Sequence, residues 1–216
     1  MTLTNTPQDD LGVIIGDLDS LEPAARSYFE SGRGKTTVIH EPDQESTDFG
    51  KAVAYIRRQH RHADLRDGDG TQDAAATAPL DIVAVGGLGG RVDQGLSQLH
   101  HLYLFQTDPS YAQGRMYLFS GESLTFLLKG GGRHRIRVRD GGREDVFGKH
   151  VGILPVGGPS RITTRGLEWD VSDWETEFGG RMSTSNHVLP ATEVVEVETT
   201  RDVLFTIALR EERRSC

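Results

Sequence analysis

Val13-Ile14-Ile15-Gly16-Asp17-Leu18-Asp19-Ser20-Leu21, VIIGDLDSL, is the stretch on which the reading of the fold turns. Three β-branched residues in a row read as a buried strand. Gly16 follows, and then two carboxylates one residue apart. In a chain still extended at Asp19, both side chains leave on one face. Like charges that close repel each other. Either a cation lies between them, for which Mg²⁺ shared with substrate phosphates is the fitting case, or both are solvated or capping groups in a turn.

Downstream of this stretch, strand-like and helix-like segments alternate. SLEPAARSYFE reads as a short helix with Ser20 as N-cap and Pro23 in its first turn. KTTVIH is a second strand. STDFGKAVAYIRRQH is a helix with Phe49, Ala52, Val53 and Ile56 on one face. Residues 61–79 are polar, small and Gly/Asp/Ala-rich, the composition of a surface insertion. LDIVAVGG reads as a third strand covered on both faces, and RVDQGLSQLHHLYLF as a helix with Val92, Leu96, Leu99 and Tyr103 inward. This βαβ order predicts an open, mainly parallel, Rossmann-like α/β sheet. From about Arg115 the grammar changes to short strands between Gly-rich turns, the pattern of an all-β sandwich. The expected domains are therefore 1–113 and 114–216.

Composition narrows the function. With 216 residues, 36% hydrophobic and 26% charged, the chain has the make-up of a soluble globular protein. Thirty-two acidic against 24 basic residues give a net charge of -8, which argues against general nucleic-acid or anionic-membrane binding. The only cysteine, Cys216, allows no disulfide framework and no cysteine metal site. No apolar run is long enough to span a bilayer, and the polar start MTLTNTPQDD is not a signal peptide. A cytoplasmic location is the expectation.

Three further constellations carry chemistry, each beside a plainer reading. PDQESTDFG places Asp43, Glu45 and Asp48 in the turn after the second strand, where Ser46 or Thr47 can cap the next helix and Asp48 gains from its dipole. GGLGGRVDQG, residues 86–95, lets the backbone approach phosphate oxygens, with Arg91 as a bidentate partner. The alternative is a tight turn with Asp93 as helix cap. GRGKTT, residues 32–37, lacks the first glycine of a P-loop and reads as a turn. In the second half, Trp169 is either core or a platform for a flat cationic ring. Ser183, Thr184, Ser185 and Asn186 are either a polar turn or hydrogen-bonding groups for that ring.

Taken in order, VIIGDLDSL, DQESTDFGKAV, GGLGGRVDQGLSQLHHL, GILPVGGPSRITTRGLEW and STSN resemble thiamine pyrophosphokinases of the eukaryotic, fungal type. The resemblance spans Val13 to Asn186. It implies an α/β domain followed by a β-sandwich, in a homodimer with the active site at the subunit interface. It implies the reaction ATP + thiamine → thiamine diphosphate + AMP, with Mg²⁺. By motif, Asp17, Asp19 and Asp48 would be catalytic and hold the metal. Gln44, Thr47, Gly89, Arg91, Asp93 and Gln94 would contact the nucleotide. Trp169, Ser183, Thr184, Ser185 and Asn186 would bind thiamine. The family's ADGGAN-like loop and the strand before it have no match here, which implies a lost sheet neighbour and a reduced phosphate site. Two other readings are a non-catalytic thiamine- or nucleotide-binding relative and, from VIIGDLDS alone, an aspartyl-nucleophile phosphatase. The latter would need a downstream Lys and acidic pair that the sandwich half does not offer.

Overall fold

The computed structural model describes residues 11–31, 36–67, 78–140 and 145–210, with side chains from 62 to 67 left aside. Most of the expected 61–79 insertion, most of GRGKTT, the N-terminal segment and Cys216 lie outside these residues. The chain forms two compact units, 1–80 and 81–216.

In the first unit β1 (Val13–Gly16) and β2 (Thr37–His40) pair in parallel, with Val13 opposite Thr37 and Gly16 opposite His40. Their carboxyl ends are therefore level. The ladder is extended at both ends by Thr37 N–H donating to the Gly12 carbonyl and Glu41 N–H to the Gly16 carbonyl. Helix α1 (Pro23–Ser31) joins them; it begins on Pro23, three residues beyond the expected cap at Ser20, and buries none of its residues. Helix α2 (Asp48–Asp67) follows β2. Among its described side chains Val53 and Lys51 are buried, whereas Ile56, expected on the inward face, is exposed.

The second unit opens with β3 (Ile82–Val85), α3 (Val92–Leu104) and β4 (Met116–Phe119), in which β3 and β4 are parallel neighbours. Then come β5 (Ser123–Leu128), β6 (Gly132–Arg137), β7 (Phe147–Leu154), β8 (Ser160–Arg165), β9 (Trp174–Thr176), β10 (Ser183–His187), β11 (Val194–Thr199) and β12 (Val203–Leu209). They form a six-stranded sheet, β10-β7-β12-β5-β4-β3, and a four-stranded sheet, β6-β11-β8-β9. Alternate residues of both sheets meet in one core, among them Phe126, Val151, Ile153, Ile162, Val195, Val197, Phe205 and Ile207. This is the expected sandwich, stabilised chiefly by apolar burial between its layers.

The expected single, mainly parallel sheet is corrected by this topology. β3 belongs to a mixed six-stranded sheet because its ladder partner is β4, the first strand of the sandwich grammar. Among the described residues it ends its sheet, and its alternation of buried Ile82 with exposed Val83 and Val85 replaces the two-sided burial expected of it. Helix α3 also turns a different face inward. Leu102 is fully buried and Tyr103 half-buried, while Val92 and Leu96 are exposed. Gln106, just past the helix, is buried because its amide donates to the Leu102 carbonyl at 2.9 Å and accepts the Met116 N–H at 2.9 Å.

Candidate functional site

The carboxylate corner of the first unit is built where β1 ends. Gly16 is the last strand residue, and Leu18 already has a left-handed backbone, φ 63°. The Asp17 carboxylate accepts the Asp19 N–H at 3.1 Å, and Leu21 N–H donates to the Leu18 carbonyl at 3.0 Å. Asp17 and Asp19 therefore stand on a tight Asx-type turn, not on one face of an extended strand. A left-handed non-glycine residue in such a turn is uncommon and often marks a functional position.

Asp48 comes to the same corner from α2. Its carboxylate accepts the Asp17 N–H at 3.2 Å and lies so close to Gly16 that a Cβ there would fall 2.7 Å from its carboxyl carbon. The helix start that carries it is capped by Thr47, whose hydroxyl accepts the Gly50 N–H at 3.0 Å. Thr47 is the cap; Ser46 instead donates to the Asp43 carboxylate at 2.6 Å. That bond, together with the Glu45 N–H, holds the Asp43 carboxyl below the usual range. Lys51, buried one turn into α2, sets its ammonium 3.4 Å from the Asp48 carboxylate. The sequence reading missed it; the i, i+3 spacing from Asp48 was its only signal. Gln44 is exposed in the preceding turn, its amide 3.5 Å from the Pro42 carbonyl.

The Asp48 carboxylate thus meets the Asp17 backbone at the carboxyl edge of a parallel strand pair, with the Asp17 carboxylate on the same turn and Asp19 on its exposed side. Among the described residues no three His, Cys, Asp or Glu side chains gather closely enough to hold a metal by themselves. Such a set suits an ion that draws its other ligands from substrate phosphates, as Mg²⁺ does.

The glycine-rich corner lies in the second unit, between β3 and α3. Gly86 and Gly90 take φ 94° and 70°, values that favour glycine, so this turn needs both. Arg91 occupies the N-cap position of α3 without a side-chain capping bond. It binds Asp93 bidentately, Nε to Oδ1 at 3.1 Å and Nη2 to Oδ2 at 2.6 Å. This corrects the alternative in which Asp93 caps the helix. The pairing holds the Asp93 carboxyl below its ordinary range. Gly89 has open space around it, and Gln94 is exposed.

The third group is in the sandwich. Trp169 is 55% exposed, which settles it as a surface ring and not core. It stands on the loop after β8, turned by Gly166 at φ 96°. The loop is tied by Asp170, whose carboxylate accepts the Gly166 N–H, the Leu167 N–H and the Thr164 hydroxyl within 3.1 Å. Leu167 bridges Val188, and Glu168 N–H donates to the His187 carbonyl at 2.8 Å. STSN is strand, not turn: Ser183 pairs Ile153 and Asn186 pairs Val151, with a register shift between them. Ser185 sits there at φ 54°, exposed like Thr184, while Asn186 is buried. Its carboxamide bonds both backbone groups of Trp169. The His187 ring lies 5.0 Å from the indole and 4.9 Å from the His150 ring, and its Nδ1 is 2.6 Å from the Glu168 carboxylate. His150, Glu168 and His187 were missed because only the pairing of the β8 loop with β10 brings them to Trp169.

Two family models match the chain: thiamin pyrophosphokinase, catalytic domain, over residues 7–112, and thiamin pyrophosphokinase, vitamin B1 binding domain, over residues 133–204. The chain belongs to the thiamin pyrophosphokinase family. Thiamine pyrophosphokinase 3 of Oryza sativa subsp. japonica is 35% identical over 201 residues, 92% of this chain and 66% of that protein. Thiamine pyrophosphokinase 1 of Arabidopsis thaliana is 35% identical over 92% of this chain and 65% of its own length. The chain thus spans just under two thirds of these relatives. The crystal structure of yeast thiamin pyrophosphokinase superposes with a TM-score of 0.77 at 27% identity, covering 92% of this chain and 69% of that one. This family assignment favours the kinase reading of VIIGDLDS over an aspartyl-nucleophile phosphatase. No helix among the described residues is long and apolar enough to cross a membrane.

Proposed function

We propose that this chain is a thiamine diphosphokinase, moving a pyrophosphoryl group from ATP to the hydroxyl of thiamine. The hydroxyl oxygen bonds to the β-phosphorus, the bond from that phosphorus to the α-phosphate's bridging oxygen breaks, and AMP leaves. The hydroxyl proton passes to a carboxylate of the corner. The observation that carries this reading is the Asp17–Asp48 contact at a parallel-strand edge, in a chain whose two halves match the catalytic and vitamin B1-binding models.

Asp17 and Asp48, with Asp19, would hold Mg²⁺, which supplies charge neutralisation for the triphosphate and orients it for in-line displacement. Without that charge the carboxylates would repel the substrate. Lys51 moderates the Asp48 charge, and Thr47 fixes the helix start that presents it. Gln44, Gly89, Arg91, Asp93 and Gln94 would contact the nucleotide; Arg91 would exchange its Asp93 pairing for phosphate oxygens. Trp169 would receive the cationic ring of thiamine on its exposed face, beside Ser183, Thr184 and Ser185. We further assign the nucleotide role to residues 1–113 and the thiamine role to 114–216, in a cytoplasmic homodimer whose active site lies at the subunit interface.

Asp17→Asn and Asp48→Asn test the assignment. Both keep side-chain size and remove the charge. Thiamine diphosphate formation should fall on the order of 10²–10³-fold, while thiamine affinity stays near wild type in both and the melting temperature does so in Asp17→Asn. Near-normal turnover in both variants would overturn the reading.

A further inference from the structure

We infer that Asn186 is a positioning residue, whose buried carboxamide presents Trp169 to the ligand without touching the ligand itself. The inference rests on the reading above only in taking thiamine as the molecule that Trp169 receives.

Asn186 is 5% exposed. Its Oδ1 accepts the Trp169 N–H at 3.2 Å and the His187 N–H at 2.8 Å, and its Nδ2 donates to the Trp169 carbonyl at 2.9 Å. A carboxamide has two acceptor lone pairs and two donor hydrogens. Both lone pairs and one hydrogen are thus committed to backbone, leaving a single hydrogen inside a closed environment. The carboxamide meets Trp169 as a neighbouring strand would, satisfying its N–H and C=O together. Next to it, the Leu167–Val188 bridge and the Glu168 N–H to His187 carbonyl bond complete the staple. The register shift between Ser183 and Asn186 turns the Asn186 side chain toward the loop and leaves Thr184 and Ser185 exposed. An indole 55% exposed would otherwise be free to fold onto the surface or swing with its loop. A held aromatic ring loses less entropy on binding than a mobile one.

The test reads Trp169 directly, with no ligand present. The protein has two tryptophans, Trp169 and Trp174. Labelled with 5-fluorotryptophan, it gives one fluorine resonance for each, assigned by Trp169→Phe. In Asn186→Ala the Trp169 resonance should shift and broaden while the Trp174 resonance stays put, the latter showing that the sandwich is folded. Asn186→Asp sets a carboxylate oxygen against the Trp169 carbonyl in place of the donor and should give at least as large a change; Asn186→Gln, which keeps an uncharged carboxamide but displaces it, should give a smaller one and covers the case in which the alanine variant does not fold. An unmoved Trp169 resonance in a folded variant overturns the inference. Thiamine affinity by calorimetry then separates positioning from contact. Asn186→Ala should lose about tenfold or more, yet cost nothing further once Trp169→Ala is present. An equal loss in both backgrounds would mean direct contact and would overturn it. If Trp169→Ala left thiamine affinity unchanged, the assignment of Trp169 would fall, while the fluorine spectra would still decide what Asn186 does.

Discussion

The carboxylate corner and the tryptophan loop are held in opposite ways. Asp17, Asp19 and Asp48 stand at the end of a two-stranded ladder, joined by a helix that buries nothing, and their oxygens bond mainly to one another's backbone N–H groups. Trp169 stands on a loop pinned by Asp170, a strand bridge and a buried carboxamide, over the core of a two-sheet sandwich. The first region concentrates like charge, and in the function proposed above a cation would complete it. The second is complete beforehand and presents one ring. A site that handles a triphosphate needs ligand charge to settle it; a site that recognises a flat ring gains from being built in advance.

The sharpest way to break this contrast is to weigh the frames by stability. Phe205, fully buried at the centre of the sandwich, should cost about 3–5 kcal/mol on replacement by alanine. Tyr28 on α1 is 55% exposed, and Tyr28→Ala should stay within about 0.5 kcal/mol. Urea unfolding of both variants measures the difference, and equal losses would erase it.

Next in size is a change that disturbs the corner while sparing the fold. Gly16 has ordinary backbone angles, so alanine is allowed there, yet its Cβ would meet the Asp48 carboxylate at 2.7 Å. The carboxylate must move, and a displacement near 1 Å in a reacting centre can cost about 10²-fold in rate. Turnover should drop by that order, with thiamine affinity kept. A variant with wild-type turnover would show that the close approach of Asp48 has no role.

The smallest effect concerns pH and the sandwich. Burial, the main cause, lowers the His134 pKa below its ordinary 6.5, Arg115 adds to this, and the bond to the Lys129 carbonyl opposes it. Between the lowered pKa and 6.5 the unfolded chain binds more protons than the folded one. Stability is therefore full above 6.5 and is lost as pH falls through that window. His134→Gln, which can still donate to Lys129, should flatten the loss measured by thermal unfolding from about pH 7.5 to about pH 5. An identical slope in wild type and variant would remove His134 as the cause.

What could be read in the sequence was what is local. A cap at Ser46 or Thr47 and Asp48 at the helix start follow from adjacent residues, the structure choosing Thr47, and the sandwich follows from strand-length runs between turns. What could not be read depends on partners far along the chain. β3 looked doubly covered because its composition is apolar; its place at a sheet edge is decided by β4. Val92 and Leu96 looked inward, but Gln106 takes a buried place through two backbone bonds. STSN looked like a turn because its residues are polar. It is an edge strand, bulged at Ser183–Asn186, and its one buried side chain is spent on Trp169.

If the carboxylate corner and the tryptophan loop serve one reaction, as proposed, its two products form together. Purified protein is given ATP, thiamine and Mg²⁺, and the nucleotide and thiamine products are counted together. AMP and thiamine diphosphate should form in equal amounts, both lost in Asp48→Asn, with the thiamine dependence weakened in Trp169→Ala. ADP with thiamine monophosphate, or nucleotide cleavage that does not need thiamine, would contradict the proposal.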